Sequence, residues 1–108
     1  MQRITLEDPK DFIDYREGSG GTVEIFDIVI NTERGVGKGR KLVEILKSRV
    51  KSHLIFAITR ETNEIAKEFY VGIGFRLIAR LPLFYPPDED KQPNAHALMY
   101  GLDLPKSA

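Results

Sequence analysis

The sequence has no cysteine. That excludes disulfides, a zinc–cysteine centre and a cysteine nucleophile. Histidine is scarce: His53 and His96 stand far apart, so no metal site is expected. Net charge is also absent, because sixteen lysines and arginines balance sixteen aspartates and glutamates. No broad basic field is available to capture nucleic acid. No apolar run reaches membrane-spanning length and no secretory signal is visible, so the expected compartment is the cytoplasm. Repeats and low-complexity segments are missing too. What the chain does have is 108 residues, 42% of them apolar, enough for a single small domain (1–108) with one core.

The most informative stretch runs from Val29 to Arg40, Val-Ile-Asn-Thr-Glu-Arg-Gly-Val-Gly-Lys-Gly-Arg. An apolar run, Ile25 to Ile30, leads into it and a periodic run, Leu42 to Val50, leaves it. The pattern predicts strand, glycine-bearing turn, helix. Gly35, Gly37 and Gly39 remove side chains where a ligand would approach backbone. The first amides of the following helix lack intrahelical partners and carry the positive end of its dipole. Arg34, Lys38 and Arg40 add cationic charge. Together these features describe a phosphate or pyrophosphate site. A flexible glycine loop with solvated charges is the competing reading. A P-loop is excluded, because Lys38 is followed by Gly39 rather than Ser or Thr. A dinucleotide fingerprint is excluded by Arg40 in place of its third glycine. The pattern that fits is Arg34-x-x-Gly37-x-Gly39.

In chain order, Gln2 to Leu6 and Asp11 to Arg16 read as short strands, separated by a turn at Asp8-Pro9. A glycine-rich turn at 18–21 leads to a third strand, Thr22 to Ile30, whose β-branched content predicts a central position. Asp27 is the anomaly in it: either a bulge or splayed end reaching water, or a functional carboxylate. The helix after the glycine turn places Leu42, Val43, Ile45, Leu46 and Val50 on one face. Ser52-His53 ends it, and Leu54 to Thr59 is another buried strand. Strand, helix, strand implies a right-handed crossover. Thr62 or Asn63 then caps a second helix that bears Ile65, Ala66, Phe69 and Tyr70 on one face. Gly74 suits a left-handed stop. Phe75 to Tyr85 reads as a long strand bent at Pro82, 85–93 as a loop, and Ala95 to Leu104 as a closing strand with His96, Leu98, Tyr100, Leu102 and Leu104 on one face.

Two motifs on this frame resemble those of the GNAT superfamily of N-acetyltransferases. Arg34-x-x-Gly37-x-Gly39 is similar to the family's acyl-CoA pyrophosphate loop. Asn63-x-x-Ala66-x-x-Phe69-Tyr70-x-x-x-Gly74-Phe75 is similar to its second signature at every position. The resemblance covers roughly residues 22 to 104. It implies an α/β fold: a GNAT-like mixed sheet with a central strand-helix-strand-helix-strand unit. The family's N-terminal strand and two helices are expected to be missing or reduced, which leaves an open acceptor cleft or one completed by a partner chain.

The resemblance further implies acetyl-CoA as acyl donor and an amine as acceptor, with direct attack on the thioester. The alternative is a non-catalytic acyl-CoA-binding module or subunit. Backbone at Val29 would pair with the pantetheine arm. Arg34 and the amides of Gly35, Val36, Gly37, Lys38, Gly39 and Arg40 would hold the pyrophosphate. Asn63 would bond the pantetheine or neighbouring backbone, and Tyr70 would bind near the thioester sulfur and protonate the departing thiolate. The bland alternative for Tyr70 is a core aromatic. The strand before Asn63 offers Ile58 and Thr59 rather than a carboxylate base, so Asp27 is chosen over Glu24. Tyr85 would border the acceptor, and Asp88, Glu89 and Asp90 would attract a cationic amine, unless they form only a solvated acidic turn. A homodimer is expected, in contact through the closing strand and Leu81 to Tyr85.

Overall fold

The computed structural model describes residues 1–33, 35–86 and 95–105. Among these residues, six strands and two helices follow in the order β1 (Gln2–Thr5), β2 (Phe12–Glu17), β3 (Thr22–Val29), α1 (Lys38–Arg49), β4 (Leu54–Arg60), α2 (Glu64–Gly72), β5 (Arg76–Leu81) and β6 (Ala97–Asp103). The strands form a mixed sheet with the order β1-β2-β3-β4-β6-β5. The strand-helix-strand-helix-strand unit expected from the sequence runs from β3 to β5, and no helix precedes α1 among the described residues. Neither helix is long and apolar enough to cross a membrane. The chain divides into two compact units, Met1–Ile55 together with the segment from Leu104, and Phe56–Asp103.

In the first unit, β1, β2 and β3 pair antiparallel, with Ile4 opposite Ile13, Ile13 opposite Ile28 and Tyr15 opposite Ile25. Cross-strand partners share a face, and here Ile4, Ile13, Tyr15 and Ile25 are all buried. The sheet packs with α1, whose Leu42, Val43 and Leu46 are buried at helical spacing. Each fully buried aliphatic side chain of this kind contributes about 1.5–3 kcal/mol.

The β2–β3 register shifts once. Asp14 faces Asp27 and Tyr15 faces Ile25, so Phe26 is the extra residue of a bulge. One extra residue reverses the alternation, which lets Ile25 and Ile28 share the core face and sends Asp27 to the other. A carboxylate inside an apolar run therefore reaches water, and Asp27 is exposed.

In the second unit, the Asn63 side chain caps α2 by accepting from the Ala66 amide at 3.1 Å. The helix stops at Gly74, whose φ of 100° is left-handed. The Gly74 amide donates to Val71 and the Phe75 amide to Tyr70, closing the last carbonyls. β5 and β6 pair antiparallel, from Arg76 opposite Gly101 to Leu81 opposite Ala97.

Most strand ends differ from the sequence reading by one or two residues, and β5 and β6 differ in larger ways. β5 ends at Leu81 instead of running to Tyr85. Leu83 lies at φ 55°, outside strand conformation, and its amide donates to His96 Nδ1 at 3.0 Å. β6 does not alternate as expected either. Ala97 and Leu98 are both buried, as are Tyr100 and Gly101, so this strand is covered on both faces. Strands with two covered faces lose the period-two signal.

Candidate active site

The first group of candidate residues lies at the start of α1. Val29 closes β3, opposite Phe12 of β2. Gly35 and Gly37 are both left-handed, at φ 81° and 79°, and a Cβ on either would meet nothing within 4 Å. Glycine is thus required there by conformation and not by crowding. Gly37 is itself the N-cap of α1. It offers no side-chain oxygen, and the first turn holds no acidic residue. Gly37 therefore gives the amides that open this helix no side-chain bond, and no acidic residue of the first turn faces the dipole. Val36 is exposed, Gly39 half-buried and Arg40 exposed on the first turn. Arg34 lies outside the described residues.

Lys38 is placed differently from what a simple cationic loop implies. Its ammonium bonds the Thr32 hydroxyl and lies 3.4 Å from Asp11 Oδ2. Asp11 was not singled out by the sequence, yet it is 1% exposed and heavily bonded. Its Oδ1 accepts from the amides of Asn31 (2.8 Å) and Thr32 (3.1 Å), and its Oδ2 accepts from the Thr32 hydroxyl. The Thr32 hydroxyl bond, with lesser help from the two amides and Lys38, holds the carboxyl at about 2 against a usual 3.8, although burial opposes the shift. A carboxyl depressed on folding adds stability that is fully present above the unfolded pKa and is lost as pH falls through the folded one. The denaturant midpoint of wild type should therefore exceed that of Asp11→Asn above about pH 4, and the gap should narrow from pH 4 towards pH 2. Denaturant titrations of both proteins across that range check this; a pH-independent gap would contradict it.

On the outer face of the same unit, Asp27 sits opposite Asp14. Like charges directly opposite repel. Arg3 offsets this by bonding Asp14 twice, Nε at 2.6 Å and Nη2 at 2.9 Å, while its guanidinium lies 3.7 Å over the Phe12 ring. The Arg3 bond holds the Asp14 carboxyl below its ordinary value. Asp14 and the nearby Asp27 raise Arg3. Glu24, the other carboxylate weighed in the sequence, pairs with Arg16 at 3.6 Å.

The second group lies in the second unit. An open groove there is lined by Arg60, Thr62, Asn63, Glu64 and Ile65, at the mouth of α2. Tyr70 is 8% exposed, with its ring 5.2 Å from those of Phe69 and Phe75 and 6.1 Å from that of Tyr100. This aromatic packing fixes the direction of the phenol. Tyr85 lies beneath the Arg60 guanidinium, 4.4 Å from it, and edge-on to Phe84. Burial pushes its phenol up, and Arg60 partly opposes that. Glu61, one residue past β4, is a carboxylate the sequence reading passed over. It is not a spare base, because both its oxygens bond Arg80. Asp88, Glu89 and Asp90 lie outside the described residues.

No protein-family model matches this sequence, and no curated protein matches it. Solved structures do. The ribosomal-protein-S18-alanine N-acetyltransferase of Escherichia coli superposes with a TM-score of 0.75 at 18% identity, over 96% of this chain and 68% of its own. A Desulfovibrio desulfuricans protein described as an acetyltransferase of the GNAT family gives 0.74 at 24% identity, over 92% and 64%. A Bacillus subtilis acetyltransferase in complex with CoA gives 0.76 at 21%, over 92% and 72%. The fold is therefore that of the GNAT acetyltransferases. This chain spans about two thirds of the length of these proteins.

Proposed function

We propose that this protein transfers acetyl from acetyl-CoA to a primary amine: a protein amino terminus, a lysine or a small-molecule amine. The observation that carries the proposal is the start of α1. It is a helix opened by two left-handed glycines, with no side-chain cap and no acidic first turn, on a GNAT fold. Such a terminus suits a pyrophosphate.

In this reading the amides of Gly35 to Arg40 hold the pyrophosphate, and the Val29 backbone pairs with the pantetheine arm. Asn63 orders the mouth of α2, and Arg34 adds charge beside the phosphates. The amine nitrogen attacks the thioester carbonyl, the carbon–sulfur bond breaks, and Tyr70 gives its proton to the departing thiolate. A phenol near pKa ~10 is a workable acid for a thiol near ~8.5. The amine proton leaves to Asp27 or water, and strand amides stabilise the oxyanion. An amino terminus, with pKa ~8, reaches its neutral form far more readily than a lysine at ~10.4. Tyr85 borders the acceptor. The test is thiol release from acetyl-CoA with a panel of amino-terminal peptides, lysine peptides and small amines. Turnover with at least one class is expected. CoA binding with no turnover would leave a binding module instead.

The working unit in this reading is a homodimer. Leu83 and Phe84 are 76% and 49% exposed, and Leu77 is 54% exposed. Large apolar side chains left in water near one another favour association, most often with a two-fold copy. Light scattering at micromolar concentration should give twice the mass of the 12.3 kDa chain. A monomer mass with full activity would rule the dimer out.

A further inference from the structure

Among the described residues, the glycine turn between Glu33 and Gly37 lies at the surface: Glu33, Gly35, Val36 and Gly37 are exposed, and a Cβ at either glycine would touch nothing. Both ends converge on one buried side chain, Asp11, in the loop that leads into β2. At the near end, the Asn31 and Thr32 amides and the Thr32 hydroxyl bond Asp11. At the far end, the Lys38 ammonium, on the first residue of α1, pairs with Asp11 and bonds the same threonine hydroxyl. Asn31 adds a bond from its side chain to the Lys10 carbonyl, 2.9 Å.

Asp11 is itself held in place. Its amide donates to the Asp8 carbonyl, and its carbonyl accepts from the Leu6 amide, each at 3.0 Å. The clamp is therefore anchored before the turn is added to it. A buried carboxylate with four donors on it is ordered, and losing one donor leaves oxygen lone pairs without partners.

We infer that Asp11 is the positioning residue of the glycine turn: it ties Thr32, before the turn, to Lys38, after it, and CoA affinity depends on that tie. The inference deepens the proposed function and rests on it for the ligand. It also assigns Lys38 a part different from direct phosphate contact. Its charge is spent on Asp11, so the anion is met by backbone amides.

Thr32→Val is the cleanest test. It removes the shared hydroxyl and keeps the side-chain volume, whereas Asp11→Asn also releases the Lys38 charge, which by itself favours an anion. Two readouts are needed. Hydrogen exchange of the Asn31, Thr32 and Lys41 amides, which bond Asp11 and the Gly37 carbonyl, in the unliganded protein reads the clamp alone. Calorimetric titration with CoA, together with the KM for acetyl-CoA and kcat, reads its consequence. In Thr32→Val, exchange should accelerate at least tenfold at these amides and not at Ile13 or Tyr15. CoA should bind roughly tenfold more weakly, KM should rise, and kcat at saturation should change less than threefold. Thr32→Ser, which keeps the hydroxyl, should restore both readouts. Unchanged exchange and unchanged CoA affinity in a folded Thr32→Val protein would overturn the inference. If wild type itself fails to bind CoA, the proposed function falls. The positioning role is then judged by exchange alone: acceleration sustains it and its absence overturns it.

Discussion

Gly37→Val is expected to abolish CoA binding while leaving the protein folded. Gly37 sits at φ 79°, where a β-branched residue is strained. The strain costs about 1–2 kcal/mol, which a folded domain tolerates. Nothing packs on the position, so the core under α1 is untouched. Binding suffers far more. The valine projects into the open space that a ligand would occupy, and relief of strain turns the first amides of α1 away. Each charge-assisted hydrogen bond lost is worth about 1.5–3 kcal/mol. Losing two raises the Kd by ~10²-fold or more. Calorimetric titration with CoA and a thermal melt on the same sample measure both effects. Unchanged affinity in the folded variant would remove the phosphate role from this turn.

Tyr70→Phe should lower turnover by ~10²-fold or more, with CoA affinity nearly unchanged. The substitution keeps the ring, and the ring is what packs on Phe69, Phe75 and Tyr100. Stability should therefore move little. A loss confined to kcat is what removal of a proton donor produces. Full activity in the phenylalanine variant would make Tyr70 a core aromatic and nothing more.

The parts of this protein that were legible in its sequence are those written in local chemistry. The Asn63 cap and the Gly74 stop of α2 each depend on residues within five positions of one another. The apolar spacing of Leu42, Val43 and Leu46 likewise shows which side of α1 is buried. The parts that were not legible depend on distant partners. Asp11 meets Asn31 and Thr32 across twenty residues or more, and an isolated aspartate after a turn carries no sign of such a tie. β5 stops early because His96, thirteen residues on, receives the Leu83 amide. Asp27 looked out of place until the bulge at Phe26 turned it outward, an effect of the β2–β3 register that no run of residues within β3 displays. The glycine turn lies between these cases. Its glycines were readable, but their left-handed conformation and the neutralisation of Lys38 by Asp11 were not.

The central claim is that the start of α1 receives the pyrophosphate of CoA. A titration of isotopically labelled protein with CoA, followed by amide nitrogen–proton correlation spectra, tests it most directly. The largest saturable shifts are predicted at Gly35 to Arg40, with smaller ones at Val29 and Asn63. Saturable shifts confined to other residues, or none at all at millimolar CoA, would contradict it.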